Sequence, residues 1–241
     1  MTHDGLKVRE RPSPNHNDRR GRAVDMLLLH YTGMRSAAEA LERLCDPAAE
    51  VSAHWLVEED GTVWRLVDED RRAWHAGRAW WAGESDINAC SIGVEIHNPG
   101  HEFGYREFPE AQVEAVIHLC RGILGRHAIP AARVLGHSDV APLRKADPGE
   151  LFPWARLAAA GIGRWPDFPP VPGAGAASPA IRAVQTDLAR IGYGLAVDGV
   201  AGPETRAVIA AFQRHFRPGS VSGDADAETV SRIRVMAGLS G

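Results

Sequence analysis

"LLLHYTGM", residues 27–34, sets three leucines directly before a histidine. Successive apolar positions fit a strand buried on both faces, because alternate side chains of a strand point to opposite sides of its sheet. An imidazole at the end of such a strand needs a hydrogen-bond partner, a metal or solvent. His30 is therefore either a structural cap or a ligand. Working outward, short apolar runs at 24–31, 53–57, 62–67, 91–97 and 133–136 predict strands, interleaved with two amphipathic stretches. The longer stretch, "PEAQVEAVIHLCRGILGRHAIP", puts Pro109 in a first helical turn. It lines up Val113, Val116, Ile117, Cys120, Ile123 and Leu124 on one stripe and His118 on the polar side. This pattern predicts an α/β protein with a mixed central β-sheet flanked by helices.

The sharpest composition shift is "RWPDFPPVPGAGAASPA", residues 164–180, where five prolines remove helix and strand periodicity together. Beyond it the pattern is helical throughout. Ile181, Val184, Leu188 and Ile191 mark one helix, Val208, Ile209, Phe212 and Phe216 a second, and Val230, Ile233 and Met236 a third. Gly202 with Pro203 opens the second and Asp226 the third, and "GPET" and "DAET" hint at a duplicated start signal. The expected organisation is an N-terminal arm (1–21), a catalytic domain (22–163), a Pro/Gly-rich linker (164–178) and a small three-helix bundle (179–241).

A chain of 241 residues, 44% hydrophobic and 24% charged, can bury a sizeable core in one large or two unequal domains. A net charge of −4 leaves no basic footprint for nucleic acid. Cys45, Cys90 and Cys120 form no CxxC pair, so they predict small buried residues rather than a disulfide framework or a thiolate metal site. The polar, charged start lacks the apolar stretch of a secretory signal, and no later run is long enough to span a bilayer. The expectation is a cytoplasmic monomer, or a periplasmic one if a native leader has been removed.

Chemistry concentrates in "GHSDVAPLRKADPG", residues 136–149, a polar segment stiffened by Pro142 and Pro148. Imidazole and carboxylate suit Zn²⁺, and a catalytic zinc takes three protein ligands plus an open position. His137 and Asp147 offer two, and His30 a third. No H-x₃-H or HExxH register links the three, so spacing alone leaves the set open. His3, His16, His101, His127 and His215 show no pattern beyond surface or hydrogen-bonded residues.

Five blocks, "LLLHYTG", "SAHWLVEEDGTVWRLV", "AWHAG", "CSIGVEIHNPG" and "LGHSDVAPLRKADPG", in that order, resemble the zinc-dependent N-acetylmuramoyl-L-alanine amidases of the type 2 family. That family includes the peptidoglycan-recognition proteins and phage amidase lysozymes. The resemblance spans about residues 22–165. The tail resembles the three-helix peptidoglycan-binding domain, with the pattern DGxxGPxT…FQ running from Asp198 to Gln213.

The resemblance implies one zinc ion held by His30, His137 and Asp147. Relatives among phage lysozymes and animal recognition proteins carry cysteine at the third position. The carboxylate of Asp147 resembles the bacterial recycling-type enzymes and removes an oxidisable thiolate. Glu95 matches the catalytic glutamate, and strand alternation in "SIGVEIH" puts Gly93, Glu95 and His97 on one face and Ile92, Val94 and Ile96 on the other. Lys145 matches the catalytic lysine, and in an extended segment it shares a side with Asp147. Tyr31, Thr32 and Arg144 match substrate-contact positions, while His54 and His75 match cleft-lining or loop-holding ones. The implied activity is hydrolysis of the amide between the lactyl group of N-acetylmuramic acid and L-alanine, in cell-wall recycling, on 1,6-anhydro-muropeptides. Two rivals share parts of this pattern: a non-catalytic peptidoglycan sensor on the same fold, and a zinc peptidase, which the absence of HExxH disfavours.

Overall fold

The computed structural model describes residues 2–3, 6–170 and 180–240. Its strands are β1 (Thr2–His3), β2 (Leu6–Glu10), β3 (His16–Asp18), β4 (Met26–Tyr31), β5 (Trp55–Val57), β6 (Val63–Arg65), β7 (Arg71–Ala73), β8 (Ser91–Ile96) and β9 (Val134–Gly136). The helices are α1 (Ala37–Cys45), α2 (Ile87–Cys90), α3 (Gly100–Phe103), α4 (Glu110–Arg126), α5 (His137–Val140), α6 (Trp154–Ala159), α7 (Ile181–Ile191), α8 (Pro203–Phe216) and α9 (Ala227–Gly238). A seven-stranded mixed sheet runs in the order β1-β2-β6-β5-β8-β4-β9, with β3 and β7 paired separately. This is the expected mixed sheet flanked by helices and followed by three more. No helix among the described residues is long and apolar enough to cross a membrane.

The leucine run is β4, flanked by β8 and β9 in parallel. Its register sorts the two faces. Leu27 and Leu29 align with Ile92 and Val94 and pack under α4 through Val113, Val116, Cys120 and Ile123. Leu28 aligns with Gly93 and Leu135 on the opposite face, and His30 aligns with Glu95. Met26, Leu28 and Leu135 there share one buried cluster with Leu188, Ile209, Phe212 and Met236 of the C-terminal helices. The bundle thus covers the face that α4 leaves bare. A third cluster seats Leu41 and Leu44 of α1 on Leu56 of β5, further along that face.

Helix ends follow their local chemistry. Ser36 caps α1 by accepting from Glu39 N at 3.2 Å, and Asp226 caps α9 by accepting from Thr229 N at 2.9 Å. Pro109 sits one residue before α4 at its cap, with ψ 149°, rather than inside the first turn. The duplicated start signal in the bundle marks a duplicated polar lock. Gln185 donates to Thr205 Oγ1 and accepts from Gly199 N, and Gln213 donates to Thr229 Oγ1 and accepts from Gly223 N.

Residues 1–21, expected as an arm, supply β2 and β3 and the buried Arg19. Of the expected linker, residues 171–178 lie outside the described residues, while Trp165 and Phe168 pack near Phe216. Cys90 and Cys120 are buried and Cys45 is half-buried, all as free thiols.

Candidate metal centre

His30 leaves the carboxyl end of β4, the edge at which parallel strands usually present their ligands. His137 opens α5 directly after β9, and Asp147 follows through a proline-bounded turn. The three residues converge although over a hundred positions separate the first from the others. His30 Nδ1 lies 2.9 Å from His137 Nδ1 and 3.1 Å from Asp147 Oδ2, and His137 Nδ1 lies 3.0 Å from the same oxygen. All three are buried.

The surrounding hydrogen bonds assign the protons. Ser91 Oγ donates to Ile87 O at 2.6 Å, so it accepts from His75 Nε2 at 3.2 Å. His75 Nδ1 in turn accepts from His30 Nε2 at 3.0 Å. His137 Nε2 donates to Ala76 O at 3.0 Å. The His30 and His137 imidazoles therefore each spend their proton outward and aim a bare Nδ1 lone pair inward. Burial, and then the neighbouring His137, push the His30 pKa down to about 4, consistent with a neutral ring.

Two imidazole lone pairs and a carboxylate oxygen facing one another repel unless a cation sits among them. Donor atoms on a tetrahedral zinc, each about 2.0–2.2 Å from the ion, stand about 3.3 Å apart. The observed 2.9–3.1 Å is close to that spacing, so the residues present fit zinc in number, type and separation.

A cleft opens over the cluster, lined by Tyr31, Thr32, Met34, His75, Glu95, His137, Lys145 and Asp147 among others. Glu95 projects from β8 beside His30, with its Oε2 buried and without a hydrogen-bond partner. Burial, then the Asp147 carboxylate, push its pKa well up, with Lys145 opposing. Lys145 reaches the cleft from a turn, not from an extended segment, since its amide donates to Ala141 O at 3.0 Å. Thr32 Oγ1 lies 3.1 Å from His97 Nδ1, and Tyr31 meets His101 at 3.0 Å.

Three expected site residues sit elsewhere or do more than line. Arg144 turns away from the cleft, donating to the carbonyls of Ala76 and Arg78 and lying 3.3 Å from His137 Nε2. His75 lies beneath His30, in space that exists because position 93 has no side chain: a Cβ there would stand 2.5 Å from the ring. His54 is buried behind both, accepting from Gly93 N on Nδ1 and donating to Arg71 O from Nε2. Burial, then Arg19, lower its pKa to about 3.

Several contributors carried no readable signal. Arg19 donates to the carbonyls of Glu69, Ala89 and Ser91 from a polar N-terminal stretch that looks solvated. Asp139 and His215, paired at 2.8 Å, join the sheet-bearing half to the bundle. His215 had one faint cue, its place beside Phe212 and Phe216 on the apolar stripe of α8.

The sequence and the fold are similar to those of named enzymes. Residues 20–150 match the family of N-acetylmuramoyl-L-alanine amidases, and residues 177–233 match a putative peptidoglycan binding domain. N-acetylmuramoyl-L-alanine amidase AmiD of Escherichia coli is 40% identical over 223 residues, covering 86% of this chain and 79% of that protein. The 1,6-anhydro-N-acetylmuramyl-L-alanine amidase AmpD of Enterobacter cloacae is 38% identical over 107 residues, 44% of this chain and 55% of that one. Among solved structures, AmiD from E. coli in complex with the substrate anhydro-N-acetylmuramic acid-L-Ala-D-gamma-Glu-L-Lys superposes with a TM-score of 0.79 at 36% identity, covering 95% of this chain and 93% of that one. AmpDh3 from Pseudomonas aeruginosa superposes equally well at 30% identity, covering 95% of each chain. A convergent His-His-Asp cluster, the matched family model and a relative aligned through both halves lead to one conclusion: the chain belongs to the N-acetylmuramoyl-L-alanine amidase family.

Proposed function

We propose that this protein is a zinc-dependent hydrolase of the amide joining the lactyl group of N-acetylmuramic acid to L-alanine of the stem peptide. In this reading residues 22–163 carry the chemistry, residues 179–241 form the small C-terminal domain, and 1,6-anhydro-muropeptides are the substrates. The observation that carries it is the inward-facing Nδ1, Nδ1 and Oδ2 triad beneath an open cleft that also holds Glu95 and Lys145. The relative solved with an anhydro-muramyl tripeptide supports the substrate form.

His30, His137 and Asp147 would hold the zinc, which when bound polarises a carbonyl and lowers the pKa of water to about 7. Glu95 accepts a proton from the attacking water at its unpartnered Oε2. It holds that proton until the alanine amine departs and takes it, a role worth roughly 10²- to 10⁴-fold. The Lys145 ammonium donates to the oxyanion that develops on the former carbonyl, worth about 3 kcal/mol. Tyr31 and Thr32 contact the substrate along the cleft wall, and Arg144 supports the segment behind His137. His75 and His54 serve the site from below, His75 by accepting the His30 proton and His54 by fixing β8.

Digesting an anhydro-muramyl tripeptide and weighing the products tests this reading. The expected products are the free sugar acid and an intact peptide with an alanine amino terminus. Unchanged mass would indicate a sensor, and cleavage within the peptide a peptidase. Faster turnover of intact sacculi than of the anhydro fragment would overturn the substrate form. Glu95→Gln is expected to lower the rate by about 10²- to 10⁴-fold with zinc retained.

A further inference from the structure

Behind the metal centre lies a second carboxylate-imidazole cluster that the chemistry does not use. Asp139 stands two residues after His137 on α5 and is 1% exposed. Its Oδ2 accepts from Gly136 N and from His215 Nδ1, both at 2.8 Å, and its Oδ1 accepts from the Tyr193 hydroxyl at 2.6 Å. Gly136 belongs to the catalytic half, whereas Tyr193 and His215 come from the C-terminal bundle. The grip is firm on the bundle side. His215 is stacked on Trp154 at 3.8 Å and on Phe216 at 3.9 Å, so its ring has no room to swing away. Tyr193 meets Trp81 edge-on at 4.9 Å, and Ala82 N donates to Gly192 O at 2.8 Å across the same boundary.

We infer that the bundle is a latch for the metal-binding segment, with Tyr193 and His215 gripping Asp139 so that α5 presents His137 where His30 and Asp147 require it. This inference depends on the metal reading above. A helix of four residues cannot hold its own conformation or orientation in water, because nucleation costs more than one turn returns. Its orientation must therefore come from tertiary partners. Any rotation of α5 spreads through Ser138 N to Asp147 O at 2.9 Å, Ala141 N to His137 O at 3.0 Å and Lys145 N to Ala141 O at 3.0 Å. Two ligands and the Lys145 ammonium are thus carried on one braced unit. Metal sites tolerate ligand displacements of only about 0.2 Å, so a loosened brace weakens the site before it unfolds the protein. Tyr193 and His215 line no part of the cleft and act as positioning residues.

The test compares two full-length variants of the same interface. Tyr193→Phe/His215→Phe keeps the rings and their stacking and removes both bundle donors to Asp139. Ile191→Ala opens a cavity in the shared apolar cluster and removes no donor to Asp139. Zinc affinity is read by chelator competition, kcat and KM on an anhydro-muramyl tripeptide, and amide hydrogen exchange over residues 136–147. The latch predicts that the double variant binds zinc about 10- to 100-fold more weakly, loses kcat at unchanged KM and exchanges faster over 136–147. Ile191→Ala, at a comparable loss of melting temperature, is expected to keep zinc affinity and kcat within about twofold of wild type. If the double variant does not fold, Tyr193→Phe alone serves, with a smaller loss in the same direction. Zinc affinity and exchange unchanged in the donor-lacking variant, or reduced equally by Ile191→Ala, would overturn the latch while leaving the metal reading intact. Wild-type protein that takes up no zinc would overturn both.

Discussion

Helix α5 and the turn after it carry two aspartates, each with polar partners at similar distances, yet the two environments differ in kind. Asp139 has every partner it needs: three donors converge on its two oxygens, and the site is sealed between sheet and bundle. Asp147 faces two imidazoles whose protons have been directed elsewhere, at the floor of an open cleft. One cluster is satisfied and closed, and the other leaves converging lone pairs and a solvent path. Hydrogen-bond accounting, rather than residue type, separates the structural carboxylate from the one suited to a cation.

The contrast predicts that each aspartate fails in its own way when removed. Asp147→Ala is expected to lower amidase activity by about 10⁴-fold or more while costing little stability, because the two imidazoles left behind are neutral and keep their outward bonds. Asp139→Ala orphans three buried donors at once, and a loss on the order of 3 kcal/mol in urea unfolding is expected. Equal stability losses from the two variants would break the comparison.

A smaller effect concerns the space beneath His30. In Gly93→Ala the new methyl meets the His75 ring, at 2.5 Å before relaxation. The expected cost is about 1–3 kcal/mol, with a displaced His75 and weaker metal retention. A melting temperature matching wild type would show that the ring is not held there.

The smallest is a slope. His54 is buried, and burial lowers its folded pKa from the ordinary 6.5 to about 3. Between those values the unfolded chain binds the proton that the folded chain refuses, so stability falls as pH drops from about 6.5. One such group contributes at most about 1.4 kcal/mol per pH unit. Urea unfolding between about pH 7 and about pH 5 is expected to show that fall, and His54→Gln is expected to lessen it by the share of one group. An unchanged slope in the variant would assign the pH dependence to other groups.

The two faces of β4 also show how far local pattern reaches. That Leu27, Leu28 and Leu29 are all buried follows from an apolar run longer than alternation allows, and the five predicted strands and the C-terminal helices all form. Glu95 and Gly93 share the face that alternation assigned to them. What covers that face was not readable, because the covering residues, Leu188, Phe212 and Met236, lie about 160 to 210 residues away and carry the same apolar signal as any bundle core. The inward path of Arg19 was hidden for the same reason, because it depends on carbonyls supplied by distant segments, whereas the turn at Lys145 closes locally on the Ala141 carbonyl. The ligand set itself came from the ordered family blocks, since residues 30, 137 and 147 share no local register.

Zinc content, measured by elemental mass spectrometry on the purified full chain after dialysis against zinc, tests the central distinction most directly. The convergent lone pairs predict one zinc per chain in wild type, none in Asp147→Ala, and one per chain in Asp139→Asn when zinc is in excess. Wild-type protein without zinc, or Asp147→Ala retaining a full equivalent, would contradict it.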